Sequence, residues 1–246
     1  MKILALWCHP RSVSTAFERV MRERGDLGVL HEPFMYDYYL NQTSRIFADF
    51  TPEPGHPTRY STIRDMILDK ARTGPVFFKD MAYYVTETLP ADAEFRDAVQ
   101  HAFLLRHPAE SILSYAKREP DFSCEEVGIE AEWALYQSLE AAGHDPVVIL
   151  SDDLRAEPGA TMRRYWARAG LADCPDALAW DGAVPQGWES VQKWHGDVLA
   201  SGAIRPPEGA RDYSAELAAL GGPYAGYLAH HLPFYERLRD VALHQK

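Results

Sequence analysis

Short, unbroken apolar runs alternate along this chain with longer stretches whose apolar residues return every three or four positions. The runs are Ile3–Trp7, Gly28–His31, Val76–Lys79, His101–Arg106 and Val147–Leu150. Most lack the in-out alternation of a half-exposed strand, so they predict strands buried on both faces, as in a parallel sheet. Helical periodicity fills the gaps. The stretch 15–24 places Phe17, Val20 and Met21 on one face; Thr15 and Glu18 have capping-box spacing, and Gly25 stops the helix. Further helices are predicted at about 61–72, 108–118, 125–142 and 159–169, and the Pro- and Gly-rich stretch 51–60 reads as a surface loop. Strand-helix alternation of this kind predicts an α/β fold, a parallel sheet of about five strands with helices on both faces.

After Leu171 the strand signal ends. Pro, Gly and Trp dominate to about Gly209, and a helical stretch interrupted by Gly221-Gly222-Pro223 follows. The expectation is one domain over 1–246, with a core at 1–170 and a loop-rich, helical C-terminal extension at 171–246.

Composition narrows the function classes. The net charge of −11 opposes general nucleic-acid binding, which needs a basic face, and it makes a local arginine cluster conspicuous. Cys8, Cys124 and Cys174 are few and widely spaced, with no disulfide framework or zinc pattern. The histidines His9, His101, His107, His230 and His231 show no metal-ligand spacing with other donors, so no metal is expected. The first apolar run is too short for a signal-peptide core, and no stretch approaches the about 18 apolar residues that span a bilayer. A cytoplasmic location without membrane contact is the expectation.

Candidate chemistry gathers at two strand exits. After the first strand comes Pro10-Arg11-Ser12-Val13-Ser14-Thr15, then a helix start. Helix N-termini present unpaired N–H groups and partial positive charge, which suits an anion; Arg11 adds a full charge and the hydroxyls add donors. The fourth strand ends at Arg106-His107-Pro108, with Pro108 at the first helical position and Ser111, Ser114 and Arg118 on one face of the helix. Open α/β sheets bind ligands at this carboxyl edge. Two anion-ready corners there suit a ligand with two separated phosphate-like groups. The competing reading is capping at the first turn and surface ion pairing at the second, with Glu110 as the obvious partner.

Together these motifs resemble the PAPS-dependent sulfotransferases, which have a P-loop kinase-like sheet and transfer a sulfuryl group from 3′-phosphoadenosine-5′-phosphosulfate (PAPS) to a hydroxyl or amine, leaving 3′,5′-ADP. The first turn resembles that family's 5′-phosphosulfate loop, and Arg106-His107-Pro108 with Ser114 its 3′-phosphate element; Leu150–Leu154 resembles its last strand exit. The resemblance covers roughly the first 170 residues. It implies that Arg11, Ser12, Val13, Ser14 and Thr15 hold the phosphosulfate and that Arg106 and Ser114 hold the 3′-phosphate. Val13 stands where relatives often have Gly. A β-branched residue resists positive φ, so ordinary backbone angles are expected there. The C-terminal Arg-Lys-Gly element of many relatives is not evident; Arg205 and Lys193 are the nearest substitutes.

The resemblance also directs attention to the second strand exit, His31-Glu32-Pro33-Phe34, which is similar to the Glu-Pro element of carbohydrate-type and some bacterial relatives, where a carboxylate is the base. Glu32 is the first candidate base, with burial expected to raise its pKa, and His31 the second. Lys79 is a candidate for the sulfuryl oxygens. The expected acceptor is a small-molecule or carbohydrate-like compound, and Trp188, Trp194, His195 and the Tyr36–Tyr39 cluster either line its pocket or anchor loops. Two other readings stay open: a P-loop kinase-like phosphotransferase using Asp80 for Mg²⁺, against which the missing Gly and Lys of the loop count, and a non-catalytic nucleotide-binding protein.

Overall fold

The computed structural model describes residues 1–43, 52–185, 188, 196, 198–207, 209 and 211–245. Lys193, Trp194 and His195 lie outside the described residues. Five parallel strands form one sheet: β1 (Ile3–Cys8), β2 (Gly28–His31), β3 (Val76–Met81), β4 (Val99–Leu105) and β5 (Val147–Leu150), in the order β2-β3-β1-β4-β5. The first strand is central, and register pairs Trp7 with Asp80 and with Phe103. β4 starts two residues before the predicted run and ends at Leu105, which leaves Arg106 just beyond the sheet edge.

Neighbouring residues of β3 show how both faces are covered. Phe77 stacks on Phe17 of α1 (Ser14–Glu23) at 6.1 Å, and Phe17 meets Tyr165 of α7 (Pro158–Arg168). Phe78 points the other way, to Trp7 and to Phe95 of α3 (Ala93–Ala98). Opposite directions for successive residues follow from the strand pleat. The side of Trp7 is completed by α5 (Ile129–Ala141), whose Tyr136 packs on Phe103. Further helices are α2 (Tyr60–Thr73), α4 (Pro108–Ala116), α6 (Ser151–Ala156), α8 (Tyr213–Leu220) and α9 (Tyr224–His244), the last two parted at Gly221–Pro223 as the sequence predicts. α9 packs on α4, α5 and β5. No helix among the described residues is long and apolar enough to cross a membrane.

Two expectations about helix starts are corrected. The capping box at Thr15 and Glu18 does not form: α1 begins at Ser14, its N-cap is Val13 without a side-chain cap, and Glu18 is fully buried elsewhere. The predicted helix 125–142 breaks at Gly128, which has φ 83°; a Cβ there would stand 3.0 Å from the Cβ of His9, so the helix axis must restart to let the β1 exit pass.

That close approach serves a buried link. His9 Nδ1 lies 2.8 Å from Glu132 Oε2 on α5, and its Nε2 lies 3.0 Å from Ser111 Oγ on α4. Burial holds the His9 imidazole down at about 3, with the Arg106 charge adding to it, and burial raises the Glu132 carboxyl well above its usual range. Burial thus favours the neutral form of both groups, in which the Glu132 hydroxyl donates to His9 and His9 donates to Ser111. The folded state keeps a proton on Glu132 that the unfolded chain releases above pH 4.5, so this group costs stability as pH rises. Glu132→Gln keeps a donor to His9 and removes the titration. Its stability relative to the parent, measured by urea denaturation, is expected to improve from about pH 5 to about pH 8 by up to ~1.4 kcal/mol per pH unit; a difference that does not change with pH would contradict the neutral pair.

Candidate active site

The exits of β1, β2, β3 and β4 all open on one cavity of about 410 Å³. Of the residues singled out in the sequence, Arg11, Val13, Ser14, Thr15, His31, Glu32, Lys79, Arg106 and Ser114 line it. Ser12 does not: its side chain is fully buried without a hydrogen-bond partner, and its carbonyl accepts from Ser151 Oγ at 2.6 Å. Arg118 lies past the end of α4, exposed and outside the cavity wall.

Backbone strain is concentrated here. Among the described residues, the non-glycine positions with positive φ are Arg11 (65°), Val13 (75°) and Glu32 (42°), and all three border this cavity. The expectation of ordinary angles at Val13 is thus corrected. A left-handed β-branched residue costs about 1–2 kcal/mol, and surrounding structure holds it in place: the N–H groups of Ala16 and Phe17 donate to the Val13 carbonyl at 3.1 and 3.2 Å, and Ser12 N–H to the His9 carbonyl. Left-handed turns of this sort aim backbone N–H groups into a concavity that takes anions.

The two arginine corners are joined directly. Arg106 Nη1 donates to the Arg11 carbonyl at 2.7 Å, and Arg11 Nε donates to Ser114 Oγ at 2.9 Å. The ion pair of Arg106 with Glu110 also forms, through Nε (2.9 Å) and Nη2 (2.6 Å). Glu110 is shared: Arg155 Nη1 approaches the same oxygen at 3.4 Å, and Tyr213 donates to the other at 2.5 Å. Burial works to raise the Glu110 carboxyl, but the Tyr213 hydroxyl and the arginines outweigh it and hold it below its usual value. Arg155 lines the cavity from α6, with its other donors on the carbonyls of Arg205 and Pro206. Sequence reasoning passed over Arg155, although its place five residues beyond the last strand, on the same sheet edge, was the available signal.

The opposite wall is a chain of charged groups. Lys79, nearly fully buried in the second half of β3, pairs with Glu32 Oε1, and Tyr84 approaches Glu32 Oε2 at 3.4 Å. Glu32 N–H donates to the Lys79 carbonyl at 3.0 Å, extending the β2-β3 ladder by one bond and setting the pair side by side. Burial pushes the Glu32 carboxyl up, yet the Lys79 ammonium and His31 more than offset this and leave it below its usual value. The expected upward shift of Glu32 is therefore corrected; the cause is the ammonium of Lys79 beside it. Asp80 accepts from Phe34 N–H at 2.9 Å and sits outside the cavity wall, and its carboxyl is driven well up by burial and the Glu32 charge. Tyr39, Tyr83, Tyr84 and Met35 complete this side, and Trp188 is a buried anchor, donating to Glu18 Oε1 at 2.8 Å.

Elsewhere, Cys124, His230 and His231 bring ligand-type atoms within 4.8 Å of one another. Both His231 ring nitrogens are already engaged by backbone, Nε2 with the Cys124 carbonyl (2.7 Å) and Nδ1 with Glu130 N–H (3.3 Å), which makes this a tie between α9 and the start of α5.

A strained anion loop, a second arginine corner and a lysine-carboxylate wall around one cavity agree with what the family comparison gives: a model described as Sulfotransferase domain matches residues 1–241. The chain belongs to the sulfotransferase family. A sulfotransferase structure from Alicyclobacillus acidocaldarius superposes with a TM-score of 0.52 at 15% identity, covering 93% of this chain and 94% of that one, and it shares the fold. Two curated Arabidopsis thaliana proteins are also similar. Branched-chain-amino-acid aminotransferase-like protein 2 is 25% identical over 211 residues, 85% of this chain and 37% of its own length; protein 1 is 25% identical over 248 residues, 99% and 42%. The chain spans about two-fifths of the length of these relatives.

The strained loop is testable without a ligand. At an ordinary site Ala is more stable than Gly. At position 13 the order should invert, Val13→Gly exceeding Val13→Ala by on the order of 1 kcal/mol in urea denaturation. An Ala variant at least as stable as Gly would remove the left-handed turn.

Proposed function

We propose that this chain transfers a sulfuryl group from PAPS to a hydroxyl or amine of a small-molecule or carbohydrate-like acceptor, by direct in-line displacement and with no metal. The observation that carries this reading is the convergence of Arg11 and Arg106, from two strand exits, with Ser114 on a single cavity. A 5′-phosphosulfate fits the start of α1, where Ser14, Thr15 and the backbone N–H groups meet Arg11. A 3′-phosphate fits the Arg106 and Ser114 corner, where a planar guanidinium gives paired donors. Arg155 supplies the additional charge that the absent C-terminal element gives relatives; Arg205 also borders the cavity.

Displacement at sulfur builds negative charge on the sulfuryl and leaving oxygens, and Lys79 is the cation beside that position. The acceptor's proton goes to the adjoining His31 and Glu32 group. The C-terminal extension takes part in the site, since Arg205 borders the cavity and Tyr213 reaches its ion pair. A kinase reading is disfavoured by Asp80, which does not line the cavity and accepts from Phe34 N–H instead.

Thermal denaturation should find 3′,5′-ADP stabilising the protein and ATP with Mg²⁺ doing so far less. The opposite order would favour phosphoryl transfer. By calorimetry, Arg106→Ala should weaken 3′,5′-ADP by about 10- to 100-fold while changing 5′-AMP by less than about threefold. Arg155→Gln should show the same selectivity in smaller measure. Equal losses for both nucleotides would remove these residues from the 3′-phosphate.

A further inference from the structure

Beyond Lys79 and Glu32 the cavity is walled by Met35, Tyr39, Met81, Tyr83, Tyr84 and Tyr115, none of which the nucleotide reading uses. The rings interlock. Tyr83 meets Tyr84 edge to face at 4.8 Å, and Tyr39 meets Tyr84 at 5.8 Å. Tyr38, outside the cavity wall, packs on Tyr83 and Tyr84 at 5.2 and 4.9 Å, and Tyr115 stacks on Phe122 at 4.5 Å. The phenol hydroxyls are engaged within this wall. Tyr39 shares hydrogen bonds with Tyr83 and Tyr84, and Tyr84 approaches Glu32 Oε2 at 3.4 Å. Lys79 takes the other Glu32 oxygen. Burial pushes the Tyr39, Tyr83 and Tyr84 hydroxyls up, so they stay un-ionised. Met35 and Met81 add thioethers, which are polarisable and accept hydrogen bonds weakly. Past the reacting position beside Lys79, this wall therefore meets a ligand with aromatic carbon and sulfur. A sugar brings several hydroxyls, and each one buried against such a wall loses its water without gaining a partner. An amine arrives protonated beside the Lys79 ammonium, whose charge burial opposes but Glu32 more than restores, and is repelled.

We infer that this end of the cavity takes an uncharged, apolar alcohol whose reacting hydroxyl is its single polar group, and that Met35 and Met81, with the tyrosines, select it over sugars and amines. This rests on the sulfotransferase reading and narrows the acceptor class that the reading leaves broad. Recognition then comes from apolar burial, which grows with each carbon the alcohol carries, while the hydroxyl alone answers to Lys79 and Glu32.

Ligand-observed NMR titrations of the protein with 3′,5′-ADP bound test this with simple probes. From n-propanol through n-butanol and n-pentanol to n-hexanol, affinity should rise about threefold to fourfold per methylene. Cyclohexylmethanol and methyl β-glucoside share a six-membered ring carrying CH₂OH, and the first should bind about tenfold more tightly or better. The same margin should separate n-hexanol from n-hexylamine. Met35→Gln sets an amide in the wall and should weaken n-hexanol by about tenfold, with 3′,5′-ADP affinity unchanged by calorimetry; Met81→Gln serves if that variant does not fold. An affinity flat along the alcohols overturns the proposal. So does a glucoside or amine that binds as tightly as its apolar counterpart, or an n-hexanol affinity that the Met variants leave intact. If the parent fails to bind 3′,5′-ADP, the sulfotransferase reading falls instead, which the calorimetry distinguishes.

Discussion

The hydrogen bond from the Arg106 guanidinium to the Arg11 carbonyl joins the exits of β1 and β4, and the site's geometry depends on it. A carbonyl pointed at a cation turns the rest of its peptide the other way, which accords with Arg11 and Val13 standing in left-handed conformations. The same guanidinium holds Glu110, and Arg11 reaches across to Ser114 on the same helix. Loop, helix and strand exit are therefore tied to one another. Behind them His9 ties that piece to α4 and α5 through neutral hydrogen bonds, adding rigidity without adding charge next to the arginines.

Electrostatics explain how so acidic a chain holds a basic pocket. The net charge is −11, but the acidic groups nearest the cavity are each spent on a cation or donor: Glu18 on Arg22, Glu32 on Lys79, Glu110 on Arg106 and Arg155. Such pairs gain little net stability once desolvation is counted. Their value here is positional, since each fixes a long side chain that would otherwise sample many rotamers.

All five strands were legible because buried parallel strands are short apolar runs, and β2 and β5 have the predicted bounds. The arginine corners were legible because strand exits and helix starts can be placed from Pro10 and Pro108 alone. Contacts across the sheet were not. The sequence offers Asp80 as the neighbour of Lys79, yet successive strand residues face opposite ways, so the lysine finds Glu32 on the adjacent strand. Glu18 looked like a capping partner because three-residue spacing at a helix start usually means that. Of its actual partners Arg22 is one helical turn on, but His31 and Trp188 lie 13 and 170 positions away, and no local pattern encodes those two. Val13 broke a conformational rule for its residue type, and such exceptions fall at strained sites.

Glu110 has a consequence for which solutes can settle in this corner. With a carboxylate already seated on Arg106, an incoming ion does not meet bare cations; it has to out-compete a tethered rival. Chloride or a simple carboxylate carries no more charge than that rival and has little to gain by displacing it. A doubly charged oxyanion does, and it also brings more oxygens for Arg106 and Ser114. The resident side chain thus acts as a built-in competitor, against which a singly charged solute has little advantage.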